Sequence, residues 1–346
     1  MERSTQIWIG VVVLAALAGG VYKVAKDDQA KGTATTTSAE LPELKVDDVD
    51  KISIQNADKA EVVLEKKGEN TWVLVKPVEA PANQTNVKSL IDNLKELKAK
   101  ESIVAEPTDE VKKEYQFEPS KAVHVVAYKG GEKKLDMQFG KSGARGQMAM
   151  VEGKPGIYAV TGYSSYLYTR ETKGWRDGEI FKFDDANATQ MTIEGKHGTL
   201  SFTKGDDKWA GTHKGQAIAR FDEDKVKDAL RAFKSLNAVD FGDAKTAADT
   251  GLDAPEATVT IQLKDGAGKY VLKVGKTSSG TSRYAQKEGN DTVYVIPQYT
   301  ADWALGEVSK FQKSADAGAD KKDTAIKPVG MPGMPHGGDD DDGHGH

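Results

Sequence analysis

The sequence contains no cysteine, which excludes disulfides, thiolate metal sites and a cysteine nucleophile. It also lacks an excess of basic charge, because 48 Lys and Arg face 53 Asp and Glu, for a formal net charge of -5. Proteins that bind nucleic acids usually carry a basic patch or a high pI, so we expect no nucleic-acid partner. Hydrophobic residues make up 38% of the chain, too few for a membrane protein with many spanning helices.

Motifs of common enzyme classes are missing as well. The stretch "GYSSY" departs from the Gly-x-Ser-x-Gly nucleophile motif, and no His-Glu-x-x-His zinc motif occurs. A lone histidine on a predicted strand, such as His124, is typical of a packed or surface residue. We therefore predict no catalytic or cofactor-binding residue and expect a protein that is not an enzyme.

An apolar segment near the N-terminus is long enough to cross a membrane. Ile7–Tyr22 contains only apolar residues and glycine, and a spanning helix needs about 17–20 such residues. Residues 1–26 are thus either an uncleaved membrane anchor or a secretory signal, because Ala16-Leu17-Ala18 fits the small-residue cleavage rule. The first alternative predicts a single-pass inner-membrane protein with its bulk on the periplasmic side. The second predicts a secreted or periplasmic protein.

Two polar segments flank the central part of the chain. Residues 27–43 are small, polar and rich in Thr, which predicts a flexible linker. Residues 312–346 are rich in Gly, Pro, Asp and His. Such a composition buries too little apolar surface to offset the entropy of ordering, so it predicts a disordered tail.

The tail contains the one group of residues in the sequence with the character of metal ligands. These residues are His336, Asp339, Asp340, Asp341, Asp342, His344 and His346. Carboxylate and imidazole groups suit borderline divalent ions such as Zn, Ni or Cu. A flexible tail offers no preorganised geometry, however. We therefore expect either a solubilising acidic tail or weak, exchangeable metal binding, and no other cofactor.

Residues 44–174 and 175–311, termed module 1 and module 2, are predicted to be two copies of one unit. Matched positions follow in the same order along both halves, and their spacing drifts by only a few residues. The matches pair Ile52 and Ile54 with Met191 and Ile193, Trp72 with Trp209, Val87–Ala99 with Val226–Ala238, Gly140-Lys141 with Gly275-Lys276, and Tyr158 and Tyr163 with Tyr294 and Tyr299.

Each module shows the same order of hydrophobic patterns. Alternating apolar residues, as in Ala257–Leu263, predict strands that are buried on one face. Val87, Leu90, Ile91 and Leu94 recur at steps of three and four, which predicts one amphipathic helix. The predicted order is about β-β-β-α-β-β-β-β in each module. The fold class is therefore α+β, with two mostly antiparallel sheets preceded by one transmembrane helix.

A Gly-Lys-Ser/Thr stretch occurs once in each module, in "MQFGKSGARG" and "LKVGKTSSG". A nucleotide-binding P-loop would need a glycine five residues earlier, where Leu135 and Tyr270 stand instead. We interpret both stretches as one strand and turn seen twice, with Gly supplying a positive φ. We therefore predict no bound nucleotide.

Aromatic residues gather near the end of each module, where two lobes would meet. They are Tyr158, Tyr163, Tyr166, Tyr168 and Trp175 in one half and Tyr294, Tyr299 and Trp303 in the other. Such residues form either part of the core or a surface for a ligand or partner.

Several segments resemble a known family. They are "TWVLVKPVEAPANQTNVKSLIDNLKEL", "YQFEPSKAVHVVAY", "MQFGK" and "WRDGEIFKFDDANATQMTI". Together with the apolar N-terminus they resemble the bacterial domain-of-unknown-function family numbered 4340, over roughly residues 44–305. The resemblance implies an envelope protein encoded beside ABC-transporter components of the gliding-motility type, and it supplies no catalytic residues.

Three hypotheses about function follow. The first is a non-enzymatic, membrane-tethered accessory or scaffold subunit of an ABC-type transport complex, with envelope proteins as partners. The second is a periplasmic module that holds a polymer or small ligand between its two lobes. The third is an enzyme that uses Asp, Glu and Tyr groups in a way that no motif reveals.

Overall fold

The computed structural model describes residues 49–314, apart from positions 58, 70 and 207. The predicted anchor or signal segment, the linker and the Asp/His tail ligands therefore lie outside the described residues. Within the described range, every helix is too short or too polar to cross a membrane.

Module 1 begins with a strand meander, continues through a helix and ends in a second group of strands. Its elements in chain order are β1 (Lys51–Asn56), β2 (Val62–Lys67), β3 (Thr71–Lys76), β4 (Ala80–Pro81), α1 (Gln84–Glu96), β5 (Lys98–Val104), α2 (Asp109–Glu114), β6 (Val123–Lys129), β7 (Glu132–Gly143), β8 (Gly146–Val151), β9 (Lys154–Thr161), α3 (Ser165–Tyr168) and α4 (Thr172–Trp175).

Module 2 repeats this order with shorter elements in places. Its elements are β10 (Ala188–Gly195), β11 (Gly198–Lys204), β12 (Trp209–His213), β13 (Gln216–Ala217), α5 (Glu223–Phe233), β14 (Asp240–Phe241), α6 (Ala247–Thr250), β15 (Ala257–Leu263), β16 (Lys269–Thr277), β17 (Arg283–Lys287), β18 (Tyr294–Ile296) and α7 (Gln298–Ala304). A 3-10 turn, Val308–Phe311, stands where module 1 has α4.

The two sheets have the same strand order. The first runs β4-β3-β2-β1-β6-β7-β8-β9-β5, and the second runs β13-β12-β11-β10-β15-β16-β17-β18-β14. The pairings recorded in both sheets are antiparallel, and β1 with β2 has the same register as β10 with β11, since Ile52 faces Leu64 and Met191 faces Phe202. The predicted pair of mostly antiparallel α+β modules is confirmed.

One helix covers one face of each sheet. In α1 the apolar positions Val87, Leu90, Ile91 and Leu94 are all buried, as their spacing predicts. The Asn83 side chain caps this helix by accepting a hydrogen bond from the backbone N–H of Asn86 at 3.0 Å. Each module thereby has a separate hydrophobic core beneath its own helix.

A large aromatic side chain closes each core. Trp175 and Phe311 are both fully buried, the first in the core of module 1 and the second in that of module 2. The carbonyl of Trp175 accepts a hydrogen bond from the N–H of Asn83 at 2.8 Å, and that of Phe311 accepts one from Asp222 at 2.9 Å. Trp175, the first residue assigned to module 2 from the sequence, thus packs into module 1.

Each sheet has nine strands, rather than the seven that the sequence predicts for each module. The additional strands are the two-residue β4 and β13, and the edge strands β5 and β14. β5 has the sequence "KAKESIV", which places charged residues on a partly exposed edge and shows no clean apolar alternation. Edge strands tolerate this composition because only one side is paired, and for that reason the hydrophobic pattern fails to identify them.

Candidate functional site

One difference between the modules is a cavity that is open in module 1 and nearly closed in module 2. In module 1 a space of about 260 Å³ lies between the turn after β1 and the segment that joins α3 to α4. We term it the module 1 cavity. Ile54, Val62 and the ring of Tyr168 supply its apolar wall. Tyr168 donates its hydroxyl to Asn93 Oδ1 at 2.8 Å, so this ring is fixed in place.

Two cationic side chains line the module 1 cavity, Lys59 from the turn and Arg170 from the opposite segment. The guanidinium of Arg170 lies 5.7 Å from the ring centroid of Tyr166 and 5.5 Å from that of Trp175. Its Nε is buried and has no hydrogen-bond partner among the described residues. An atom with almost no accessible surface cannot meet a ligand in the cavity, so the N–H groups that could donate to an acceptor there are the terminal ones of the guanidinium.

The corresponding space in module 2 has a volume of only about 10 Å³. Its walls come from equivalent elements, with Ile193 and Leu200 on the strands. On the opposite side, Ala304 and Gly306 stand where module 1 has Tyr168 and Arg170. The module 2 space therefore has neither the arginine nor the room for a ligand.

A second difference lies on the outer face of the module 1 sheet. His124 Nε2 lies 2.7 Å from Asp136 Oδ1, and Lys133 Nζ bridges Asp136 and Glu152 at 2.7 and 2.8 Å. Burial by itself would raise the pKa of Asp136, but hydrogen bonds from Lys133 and His124 outweigh it and hold this pKa below its ordinary value.

The strand registers place Thr258 and Val271 of module 2 at the positions of His124 and Asp136. Only the outer ion pair has a counterpart, between Lys269 and Glu288 at 3.7 Å. The duplicated fold therefore does not depend on the histidine–aspartate pair.

The two Gly-Lys pairs have a structural explanation. Gly140 and Gly275 lie within β7 and β16, and a Cβ atom on either would lie 2.2 Å from Tyr115 O or 2.1 Å from Thr250 O. The positive φ expected for a glycine in the following turn is found at Gly146 and Gly280, whereas Gly140 and Gly275 are not among the residues with positive φ. Glycine is required here because the strand passes against the backbone at the end of a short helix.

The lysine that follows each of these glycines faces the same helix end. Lys141 Nζ lies 4.4 Å from the ring centroid of Tyr115. Lys276 Nζ donates to the carbonyl of Ala248 at 2.8 Å. A cation at a helix C-terminus is favourable because carbonyl groups there lack partners within the helix.

The aromatic residues singled out from the sequence mostly pack inside their own module. The ring of Tyr163 stacks on that of Tyr168 at 4.7 Å and touches Phe139 at 4.4 Å. Tyr294 and Trp303 belong to the core of module 2. Burial raises the pKa of Tyr168 above the usual range, as expected for a hydroxyl within a core. Tyr166 and Tyr299 are exposed.

The described residues contain no group of three or more His, Asp or Glu arranged to hold a metal ion. The tail residues that the sequence analysis proposed as weak ligands, from His336 to His346, lie outside the described range. Metal binding by the tail therefore stays a prediction.

The junction between the modules is built around Arg176. Its backbone forms a bridge to Ala82 of module 1. Its guanidinium lies 3.6 Å from the ring centroid of Phe241 and donates to Asp243 Oδ2 at 2.6 Å. Arg176 is 7% exposed, and it contacts module 1 through its backbone and module 2 through its guanidinium. Lys173 adds an outer ion pair with Asp240 at 3.6 Å.

Sequence reasoning missed Arg170, Lys59 and Arg176. None belongs to a recognisable motif. Comparing the two modules could have identified Arg170. Its matched position in module 2 is Gly306, although the hydrophobic patterns on either side are the same in both modules. Arg176 lies in the quoted segment "WRDGEIFKFDD", but nothing in that segment predicts a contact with Phe241.

Comparison with known proteins gives one family and no individual relative. The model of a family described as a domain of unknown function (DUF4340) matches residues 72–255 and 243–321. A search of curated proteins and a search of solved structures found no match. The matched ranges cover most of both modules, and the resemblance expected from the sequence is confirmed. The chain belongs to the DUF4340 family.

Proposed function

We propose that this chain is a non-enzymatic, membrane-tethered envelope protein that acts as an accessory or scaffold subunit of an ABC-type transport complex. The observation that carries the proposal is the junction at Arg176. This buried side chain follows the last helix of module 1 and contacts Phe241 and Asp243 of module 2. A protein that works by contact with other subunits benefits from such fixed spacing between its binding faces.

The sequence supports the tether. Ile7–Tyr22 is apolar throughout, and residues 27–43 have the composition of a flexible linker. In this proposal the N-terminal segment lies in the inner membrane and both modules lie on the periplasmic side. The association with transporter subunits is inferred from the family, whose members resemble envelope proteins encoded beside ABC-transporter components. It therefore rests on analogy rather than on site chemistry.

Photo-crosslinking in membranes tests the proposal. A photoreactive phenylalanine analogue is placed in turn at Tyr166, Val239 and Tyr299, which are exposed by 63%, 47% and 59%. These positions sample both modules. We expect at least one of them to yield a crosslink to a permease or ATPase subunit, identified by mass spectrometry.

The matched control carries the same analogues but replaces residues 1–26 with a cleaved export signal. Loss of the crosslink in this untethered form would support a role for the anchor. If none of the three positions crosslinks to a transporter subunit in repeated membrane preparations, the scaffold proposal is wrong.

The alternative, a ligand held between the two lobes, has less support. Tyr294, Trp303 and Trp175, which the sequence offered for such a cleft, are buried within the cores of their own modules. A ligand between the lobes would also have to displace the contact of Arg176 with Phe241.

A further inference from the structure

We propose that the module 1 cavity binds a small organic carboxylate, with Arg170 and Lys59 holding the carboxylate group. This inference goes beyond the scaffold role and does not depend on it. It rests on the shape, charge and unmet hydrogen-bonding capacity of the cavity, and on the loss of these features in module 2.

Arg170 is held in position before any ligand arrives. Tyr166 and Trp175 flank its guanidinium at 5.7 and 5.5 Å from their ring centroids. On another side Gly174 approaches so closely that a Cβ atom there would lie 2.7 Å from Arg170 Cγ. A fixed planar guanidinium presents parallel N–H groups that match the two oxygens of a carboxylate.

The hydrogen-bonding capacity of Arg170 is not met within the protein. Its Nε is buried without a partner among the described residues, and no ion pair to its guanidinium occurs among them. A buried donor without an acceptor is unfavourable, and one attached to a charged group especially so. A ligand in the cavity does not reach this buried Nε, but a carboxylate there would accept from the terminal N–H groups of the guanidinium.

Lys59 adds positive charge on the opposite wall. Its Nζ donates to the carbonyl of Thr169 at 3.1 Å, which leaves further donors of the ammonium group for a ligand. Glu171 also lines the cavity, but its carboxylate faces Lys173 Nζ at 3.6 Å. The carboxylate of Glu171 is therefore directed to Lys173 rather than to Arg170.

The rest of the cavity defines the body of the ligand. Ile54, Val62 and Tyr168 form an apolar wall, whereas Asn56 and Thr172 offer neutral polar groups. A volume of about 260 Å³ lies just below the usual range for small-molecule sites, which begins at about 300 Å³. The site therefore fits a compact apolar or aromatic body that carries one carboxylate, rather than an extended polymer.

Module 2 provides an internal comparison. It preserves the strand order and the wall formed by the strands, yet it has Ala304 and Gly306 in place of Tyr168 and Arg170, and its space is about 10 Å³. The fold thus forms without the cavity, so structural requirements alone do not explain the arginine and the open space.

Isothermal titration of the full-length, detergent-solubilised chain tests the inference, with phenylacetate as the probe and neutral phenylacetamide as its matched control. We expect saturable binding of phenylacetate and at least about tenfold weaker binding of the amide, because the neutral amide cannot form a charge-assisted pair of hydrogen bonds with the guanidinium. Phenyl phosphate serves as a third probe, and we expect it to bind more weakly than phenylacetate.

Variants then assign the binding to the cavity. Arg170→Gln should weaken phenylacetate binding about tenfold or more, and Lys59→Gln about threefold. Arg145→Gln, at an exposed arginine outside the cavity, should leave binding unchanged. If Arg170→Gln lowers the melting temperature, two milder variants still test the site. Arg170→Lys retains the positive charge, and Lys59→Gln changes only an exposed side chain.

Three results would overturn the proposal. They are the absence of saturable binding to the wild-type chain, equal affinity for acid and amide, and unchanged affinity in both Arg170→Lys and Lys59→Gln. Tighter binding of phenyl phosphate than of phenylacetate would overturn the assignment to a carboxylate. The photo-crosslinking results at Val239 and Tyr299 are independent of this test, because neither residue lines the cavity.

Discussion

The guanidinium of Arg176 lies 3.6 Å from the centre of the Phe241 ring, which joins the residue after the closing tryptophan of module 1 to the edge strand of module 2. Asp243 accepts a hydrogen bond from the same guanidinium at 2.6 Å. The guanidinium therefore has an aromatic partner and a carboxylate partner, both from module 2.

Replacing Arg176 should loosen the two modules. We expect Arg176→Ala to lower the free energy of unfolding by about 2 kcal/mol, because a desolvated cation–π contact and a charge-assisted hydrogen bond are lost together. Arg176→Lys should restore only part of this, since lysine cannot stack its charge on a ring as a planar group. Urea unfolding measures the free energy, and calorimetry reports whether one transition becomes two.

Two variants separate the contributions at this junction. Asp243→Asn should cost less than about 1 kcal/mol because Asp243 is 51% exposed. Arg231→Ala, at an arginine that is 60% exposed, should change stability by less than about 0.5 kcal/mol. Equal stabilities for Arg176→Ala and Arg231→Ala would show that the junction contributes nothing.

Alanine at Gly140 should destabilise module 1 strongly. Its Cβ would lie 2.2 Å from the carbonyl oxygen of Tyr115, so strand and helix end would have to move apart. We expect a loss of about 3 kcal/mol or more. Gly143→Ala is the matched control in the same strand, where the nearest atom would be Met148 Cε at 3.9 Å. Thermal melting that ranks the two variants equally would contradict the close approach.

The Asp136 carboxylate should make the stability of module 1 depend on acid. Its pKa is lowered in the folded state, so its contribution is complete above the ordinary value of 3.8 and is lost as the pH falls through the folded-state pKa. We expect Asp136→Asn to cost about 1 kcal/mol near neutral pH and less at about pH 3, because the contribution declines once the pH is below the ordinary value. Urea unfolding at both pH values provides the measurement.

Asp291→Asn is the control for this experiment, because Asp291 is exposed and belongs to module 2, away from His124 and Asp136. It should leave the dependence on pH unchanged. A cost for Asp136→Asn that stays the same at both pH values would indicate that the charge of Asp136 does not matter.

The Asp/His tail should account for any weak binding of Zn²⁺ or Ni²⁺. Imidazole and carboxylate groups suit these ions, but an unsupported tail provides no fixed geometry, so we expect exchangeable binding. Titration calorimetry of the full chain should show heat that disappears when residues 335–346 are deleted. Replacing only His336, His344 and His346 by alanine tests whether imidazole is needed. Unchanged heat after the deletion would exclude the tail as the ligand.

The parts of the fold that follow from periodic burial could be predicted from the sequence. The face formed by Val87, Leu90 and Leu94 predicts the helix, and the matching patterns of the two halves predict two similar sheets. The edge strands could not be predicted in this way. β5 carries Lys98, Lys100 and Glu101 and pairs on one side only, so its hydrophobic pattern carries little information.

The module 1 cavity could not be predicted for a different reason. Its charged walls come from Lys59 and Arg170, which are far apart in the chain and are brought together by the sheet and the closing helices. Neither residue belongs to a motif. The requirement for glycine at position 140 could not be predicted either. A Cβ atom there would clash with the carbonyl oxygen of Tyr115, and the position of Tyr115 depends on how a short helix packs.

The place of Trp175 has a consequence for the order in which the protein folds. Residue 176 comes after every strand of the first sheet, after its helix and after the closing tryptophan. The edge strand β5 pairs with β9, which also lies before residue 176. During synthesis, which proceeds from the N-terminus, module 1 can therefore complete its core before module 2 exists. Arg176 would then lie at the end of a folded module before Phe241 and Asp243 are synthesised. Module 2 would therefore pack against a module 1 that is already folded.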